Sequence, residues 1–358
     1  MKIAFVCPRF YPSIGGVETV VFELAQNLAA KGMDVTVLTQ TRDTKLAEKE
    51  QMHNIKVRRF HEIGFSELKI SVGLFRYLQK NSEKYDVIHV QNYHAFPALS
   101  AAITKKRPII FSPHYHGAGH TAFTNLLQYP YRFIGKFIFS RSDTILCDSY
   151  PEAQMIQKHF RILNRIIVIP LGVDVEGIQK AKKYENMSPY ILTVGRLESY
   201  KNVELIIRSL QYINSDVSLK IVGDGPELQK LKDIAYKLNL SNRINFLNNI
   251  SNEELFRLLK TAKAYVTMSS MEAYGISLLE AVAVGTGIVA SNIPAHRAMI
   301  KRFKINNIAL LDPNSSPKEL ADSIKIVMKS PAHTKEKLPS WELVTEQTLI
   351  VYKNALNR

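Results

Sequence analysis

Met1-Lys2-Ile3-Ala4-Phe5-Val6-Cys7-Pro8 opens the chain, and Ser13-Ile14-Gly15-Gly16-Val17-Glu18 follows after a short loop. The apolar run over 2–7 has the length of one buried strand. A helical pattern runs over 16–31 and ends at Gly32, and a second β-branched run occupies 34–39. Strand, helix and strand at this spacing form a βαβ unit, which predicts a parallel sheet. The theme continues with a strand near 55–60, a helix near 68–80, and strands at 86–91, 108–112 and 144–148. A second series follows. Its strands are at 189–194, 218–222, 243–246, 264–267 and 287–290. Its helices are at 202–212, 226–238, 252–260, 276–284 and 317–329. The expected fold is α/β with two doubly wound domains, divided near Ile169-Pro170-Leu171-Gly172. Residues 1–170 form the first domain and 171–340 the second. In such sheets ligands bind outside the carboxyl ends of the strands, and a cleft between two such domains is a natural ligand site.

Composition narrows the function. The 358 residues are 46% hydrophobic and 22% charged, an ordinary globular balance. Cys7 and Cys147 are the only cysteines, so neither a disulfide framework nor a cysteine zinc site is expected. The first strand is too short for a signal-peptide core, and no apolar run has the length of a membrane span. A cytoplasmic setting is the expectation. Residues 1–170 carry 22 Lys and Arg against 13 Asp and Glu, a net +9 of the total +15. That excess favours an anionic partner. The basic residues are dispersed rather than interleaved with aromatics, which argues against nucleic acid. No G-x-G-x-x-G follows the first strand, which disfavours a dinucleotide enzyme.

Five segments carry the chemistry. Gly15-Gly16 before a helix lets backbone N–H groups approach a phosphate. Ser112-Pro113-His114-Tyr115-His116-Gly117-Ala118-Gly119-His120 follows a strand. Its three histidines raise a zinc reading, but no acid or cysteine completes a set nearby, so no metal is expected. One histidine facing the cleft as a hydrogen-bonding or acid–base group is preferred. Gly195-Arg196 ends a strand, and Lys201-Asn202 starts the next helix; the two cations can clamp a diphosphate. Gly223-Asp224-Gly225-Pro226-Glu227 is a tight turn. Glu272-Ala-Tyr-Gly275-Ile276-Ser-Leu-Leu-Glu280 sets one carboxylate before a helix and one on its second turn. The helix start attracts phosphate, and the carboxylates accept from sugar hydroxyls.

In this order the segments resemble a large family of retaining GT-B glycosyltransferases, which includes many α-mannosyl- and α-glucosyltransferases. The resemblance covers nearly the whole chain. Gly285-Thr286-Gly287-Ile288-Val289-Ala290-Ser291 carries Gly287 where the family usually has proline. Asn202 and Asn248 stand where glycine is frequent. Asn tolerates positive φ, and Gly287 is expected to cost rigidity rather than chemistry. The resemblance implies roles. Glu280 holds the ribose hydroxyls, and Glu272 holds those of the transferred sugar, with Gly275 and Ile276 beside it. Arg196 and Lys201 neutralise the diphosphate, and Gly195 and Gly225 are donor-binding positions beside them. Gly15 and Gly16 meet the phosphates, and His114 lies beside the transferred sugar. It also implies no cofactor beyond the nucleotide-sugar, no metal, and a final helix (341–358) packed on the first domain. The acceptor is expected to be lipid-linked or a saccharide. Residues 126–141 mix apolar, aromatic and basic residues, and Lys105-Lys106-Arg107 adds charge. Together they suggest peripheral contact with an anionic membrane on its inner face. The competing readings are a non-catalytic nucleotide-sugar-binding protein and a sugar-nucleotide epimerase.

Overall fold

The structure, a computed structural model, describes residues 1–65, 68–93, 95–117, 122–162 and 165–357, with backbone alone at 65, 68 and 122–130. It divides into two compact units, Met1–Gly172 with Trp341–Arg358, and Val173–Ser340.

The first unit runs β1 (Lys2–Cys7), α1 (Gly16–Ala30), β2 (Asp34–Thr41), β3 (Lys49–Met52), β4 (Ile55–His61), β5 (Ile63–Phe65), β6 (Leu68–Ile70), α2 (Val72–Asn81), β7 (Val87–Gln91), α3 (Phe96–Ile103), β8 (Ile109–Ser112), α4 (Ala122–Arg141), β9 (Thr144–Cys147), α5 (Tyr150–Phe160) and β10 (Ile166–Val168). The sheet order is β10-β9-β8-β7-β1-β2-β4-β3. Every pairing is parallel except β3 with β4. β7, β8 and β9 are buried at every residue, as strands covered on both faces must be. The helix expected from 68 begins later. Residues 68–70 pair with β5 in a hairpin. Ser71 then caps α2, its Oγ accepting from the Leu74 N–H at 3.3 Å.

The second unit runs α6 (Val175–Lys180), β11 (Tyr190–Val194), α7 (Val203–Ser209), β12 (Ser218–Val222), α8 (Leu228–Lys237), β13 (Ile244–Leu247), α9 (Asn252–Thr261), β14 (Ala264–Thr267), α10 (Ile276–Val284), β15 (Gly287–Ser291), α11 (Pro294–Arg302), β16 (Ile308–Leu311) and α12 (Pro317–Val327). Its sheet is wholly parallel, in the order β13-β12-β11-β14-β15-β16. Chain order reverses between β11 and β14, and in the first unit between β1 and β7. These are the topological switch points of two doubly wound α/β folds.

The last helix, α13 (Trp341–Leu356), belongs to the first unit and packs on α1. Trp341, Val344, Val351, Tyr352 and Ala355 are buried. Each large apolar side chain contributes roughly 1.5–3 kcal/mol relative to exposure. The Tyr352 hydroxyl lies 2.6 Å from His89 Nδ1 on β7, which fixes the helix in register.

Candidate active site

The switch point of the second unit gathers the charged residues. β11 ends at Val194, and Gly195 takes φ +149°, a conformation that favours glycine. The next turn is built on close backbone approach. A Cβ on Gly223 would lie 2.0 Å from the Gly195 carbonyl, and one on Gly225 would lie 2.4 Å from the Leu197 carbonyl. Gly225 therefore packs against the Gly195–Leu197 loop. Lys201 closes a short 3₁₀ turn, and Asn202 takes φ 51°. The Asn202 amide donates to the Met268 carbonyl at 3.1 Å, and the Ser270 N–H donates to the Tyr200 carbonyl at 2.8 Å. These bonds tie the loop after β11 to the loop after β14.

Lys201 and Glu272, 71 residues apart, consequently meet. Lys201 Nζ donates to Glu272 Oε1 at 2.5 Å, and each side chain is only 17% exposed. Burial works against both charges, but each partner outweighs it for the other. The Glu272 carboxyl is held below its ordinary range and the Lys201 ammonium above its own. Arg196, 34% exposed, pairs with Glu198 at 2.8 Å. Both expected diphosphate cations thus rest on carboxylates.

Gly275 (φ +101°) is the N-cap of α10, and among the described residues that helix start has no side-chain cap. Tyr265 on β14 donates from its hydroxyl to Ser277 Oγ at 2.8 Å, which anchors that turn. Ile276 opens α10 and Glu280 lies on its second turn, facing the electrostatic environment of Tyr265. Two residues here carried no motif. Ser269 supports the Glu272 carboxylate by a hydrogen bond. His296, on the first turn of α11, is 1% exposed and sits against Gly275. The helix that carries it, α11, was not expected from the sequence, although Pro294 at its start is a helix-initiating residue.

The first unit builds a separate polar centre. Gly15 caps α1, and a Cβ there would lie 2.5 Å from Glu18 Oε2; among the described residues nothing lies within 4 Å of a Cβ on Gly16. Glu18 pairs with Arg9 at 3.2 Å. His114 takes φ 48°, which costs a non-glycine residue about 1–2 kcal/mol. Its ring nitrogens lie 2.7 Å from Asp148 Oδ2 and 2.7 Å from Gln91 Oε1. Burial opposes its charge, and the Asp148 carboxylate overrides that, raising the His114 pKa. Glu152 accepts from the N–H groups of Tyr115 at 2.7 Å and Asp148 at 2.8 Å. Burial first and Asp148 second push its carboxyl upward. Asp148 and Glu152, an i, i+4 pair where β9 enters α5, were not singled out from the sequence.

Among the described residues no three His, Cys, Asp or Glu side chains converge as a metal set; His120 lies outside those residues. No helix among them is long and apolar enough to cross a membrane. Lys105 pairs with Asp143 at 2.7 Å and Lys106 with Glu83 at 3.1 Å, and Arg107 donates to the Glu83 carbonyl at 3.2 Å. On α4, Phe133 is 80% exposed, and Ile134 and Phe137 are also exposed.

Comparison with known proteins gives this geometry a family. Residues 174–340 match the model described as "Glycosyl transferases group 1", and residues 14–176 match "Glycosyltransferase Family 4". The chain is 23% identical over 318 residues to alpha-monoglucosyldiacylglycerol synthase of Streptococcus pneumoniae, covering 82% of this chain and 72% of that one. It is 23% identical to the phosphatidylinositol N-acetylglucosaminyltransferase GPI3 subunit of Saccharomyces cerevisiae, covering 99% and 83%. In structure it resembles sucrose-phosphate synthase from Thermosynechococcus elongatus (TM-score 0.75, 18% identity, 99% of each chain). It resembles equally Anabaena HepE, solved with UDP and glucose (TM-score 0.75, 18% identity, 99% and 100%). With the two family models covering 14–340 between them, the chain belongs to the group 1, family 4 glycosyltransferases of GT-B fold.

Proposed function

We propose that the protein transfers a hexose from a nucleoside diphosphate sugar, UDP- or GDP-linked, to a lipid-linked or glycan acceptor with retained anomeric configuration. The observation that carries this reading is the Lys201–Glu272 pair at the switch point of the second unit, with Arg196 close by in sequence. An incoming diphosphate competes for the Lys201 ammonium and the Arg196 guanidinium. The Glu272 carboxylate is then released to accept from a sugar hydroxyl. Gly195 and Gly275 keep backbone close to the ligand, Ile276 starts the helix that faces it, and Glu280 accepts from the ribose. Fixed cations stabilise the departing diphosphate, a role worth roughly 2.7–4 kcal/mol per preorganised contact. Transfer is therefore expected without a divalent metal. His114, held by Asp148 and Gln91, is the first unit's proposed contribution to catalysis, and Gly15 and Gly16 its proposed phosphate contact.

The lipid-linked acceptor is favoured by the exposed Phe133, Ile134 and Phe137 on α4. Two of the relatives named above, alpha-monoglucosyldiacylglycerol synthase and the phosphatidylinositol N-acetylglucosaminyltransferase GPI3 subunit, carry lipids in their names. A cytoplasmic protein resting on the inner face of a membrane fits this acceptor. The direct test incubates the purified protein with UDP- and GDP-hexoses and candidate acceptors, with and without EDTA. Acceptor-dependent, EDTA-insensitive release of nucleoside diphosphate is expected, with product NMR showing the donor's anomeric configuration. Binding of donor without release would favour a non-catalytic binding protein. Interconversion of donor sugars would favour an epimerase.

A further inference from the structure

His296 is a buried side chain with one half of its ring accounted for. Its Nδ1 lies 2.9 Å from the Ser291 carbonyl. A carbonyl only accepts, so Nδ1 carries the proton and Nε2 keeps a bare lone pair. Ser291 Oγ, 3.2 Å away from Nδ1, donates to the Ser269 carbonyl at 2.5 Å, so that contact leaves the tautomer unchanged. Nε2 is buried and has no hydrogen-bond partner among the described residues. A buried polar atom of this kind calls for an explanation, because a lone pair removed from water with no donor to meet it is destabilising. Its surroundings supply one. Nε2 is the heavy atom nearest to where a Cβ on Gly275 would stand, at 3.4 Å, followed by His296 Cδ2 at 3.5 Å and Leu278 Cβ at 3.8 Å. Gly275 is the residue at the head of the uncapped helix α10. Glu272 and Lys201 both act electrostatically on the ring, with opposite signs.

The site thus offers a helix start, which donates, beside a neutral nitrogen, which accepts. A phosphate oxygen would meet the Nε2 lone pair and be repelled. A hydroxyl satisfies both, since it donates to Nε2 and accepts from N–H. We infer that His296 Nε2 accepts a hydrogen bond from a hydroxyl of the transferred hexose, and so sets which sugar the enzyme takes. This rests on the nucleotide-sugar reading above and adds a residue to it. Glu280, a turn further along α10, is left for the ribose.

Two substitutions separate the acceptor from the packing. His296→Phe keeps a ring against Gly275 and removes the acceptor. His296→Gln returns an amide oxygen near the Nε2 position. Calorimetry on the full chain compares UDP and GDP with UDP-glucose and GDP-mannose, and melting curves check the fold. The expected result is a loss of tenfold or more in nucleotide-sugar affinity for His296→Phe, with nucleoside diphosphate affinity unchanged. His296→Gln should stay within about threefold of the wild type for both, a difference of under 1 kcal/mol. Equal behaviour of the two variants, or parallel losses for diphosphate and nucleotide-sugar, would overturn the inference and leave His296 as packing for the helix start. A wild-type chain that binds neither ligand class would instead overturn the nucleotide-sugar reading, and this inference with it.

Discussion

Lys201 has two competing partners, the Glu272 carboxylate at 2.5 Å and the diphosphate proposed above. Removing its charge therefore has two separable effects. Lys201→Met leaves Glu272 mostly buried without its counterion, which should lower the melting temperature by several degrees. It should also cut turnover at saturating donor by 10²–10³-fold, roughly the loss of one preorganised contact to developing charge. Adding Glu272→Gln should recover the melting temperature and not the turnover. Full activity in Lys201→Met and in Arg196→Ala would remove both from the proposed site. Glu280→Ala should behave differently, weakening nucleoside diphosphate binding by about 1.5–3 kcal/mol, as loss of a hydrogen bond to a charged group does. Calorimetry reads that directly, and unchanged affinity in a folded variant would reject the ribose assignment.

At the scale of elements, α13 is joined to the sheet of its unit through one buried histidine. His89 is fully buried between Tyr352 at 2.6 Å and Ser112 at 2.8 Å. Burial, with the nearby His114, lowers its pKa from 6.5 to about 3. The unfolded chain takes up a proton below pH 6.5 while the folded chain does not. Stability from His89 is therefore complete above pH 6.5 and is lost as pH falls toward 3. The slope is about 1.4 kcal/mol per pH unit for one proton. Denaturant unfolding of the wild type and His89→Asn should diverge by that slope between pH 6 and pH 4. Tyr352→Phe should cost about 1–3 kcal/mol at neutral pH by leaving Nδ1 unmatched. Parallel pH profiles would show that His89 is protonated in the fold.

The β-branched runs made most strands legible, because a buried parallel strand is a continuous apolar run. Helix starts were harder where short-range pairing competed, as at 68–70, although Ser71 was a readable cap. Lys201 and Glu272 were each legible, but their pairing depends on which loops the sheet order brings together. Asp148, Glu152, Ser269 and His296 had no motif; only their buried partners give them meaning. Gly287 was read as a loss of rigidity. In the fold a Cβ there would lie 2.2 Å from the Val327 carbonyl, so close backbone approach is what demands glycine. The left-handed turn expected near Asn248 falls one residue later, at Asn249 with φ 52°.

For the whole molecule, a net charge of +15 favours anionic surfaces, but the fold decides which charges are available. Lys105, Lys106 and Arg107 are tied to Asp143 and Glu83, so their pull on a membrane is reduced. On α4, Ile138 and Phe139 point into the core while Phe133, Ile134 and Phe137 stay exposed, with exposed Lys136 among them. The magnitudes rank these contributions. Burying a large apolar side chain is worth up to roughly 1.5–3 kcal/mol, whereas a basic residue near an anionic surface adds about 1 kcal/mol. Docking through α4 should therefore depend more on the two phenylalanines than on the lysine. Flotation with phosphatidylcholine vesicles, with and without phosphatidylglycerol, should recover more protein with the anionic lipid. Phe133→Ser with Phe137→Ser should abolish recovery, and Lys136→Gln should reduce it about fivefold. No recovery with either vesicle would point to a saccharide acceptor free in solution, and equal recovery with both would mean that the apolar face of α4 carries the contact without help from charge. A larger loss in the lysine variant than in the phenylalanine variant would mean that charge rather than the apolar face of α4 governs the contact.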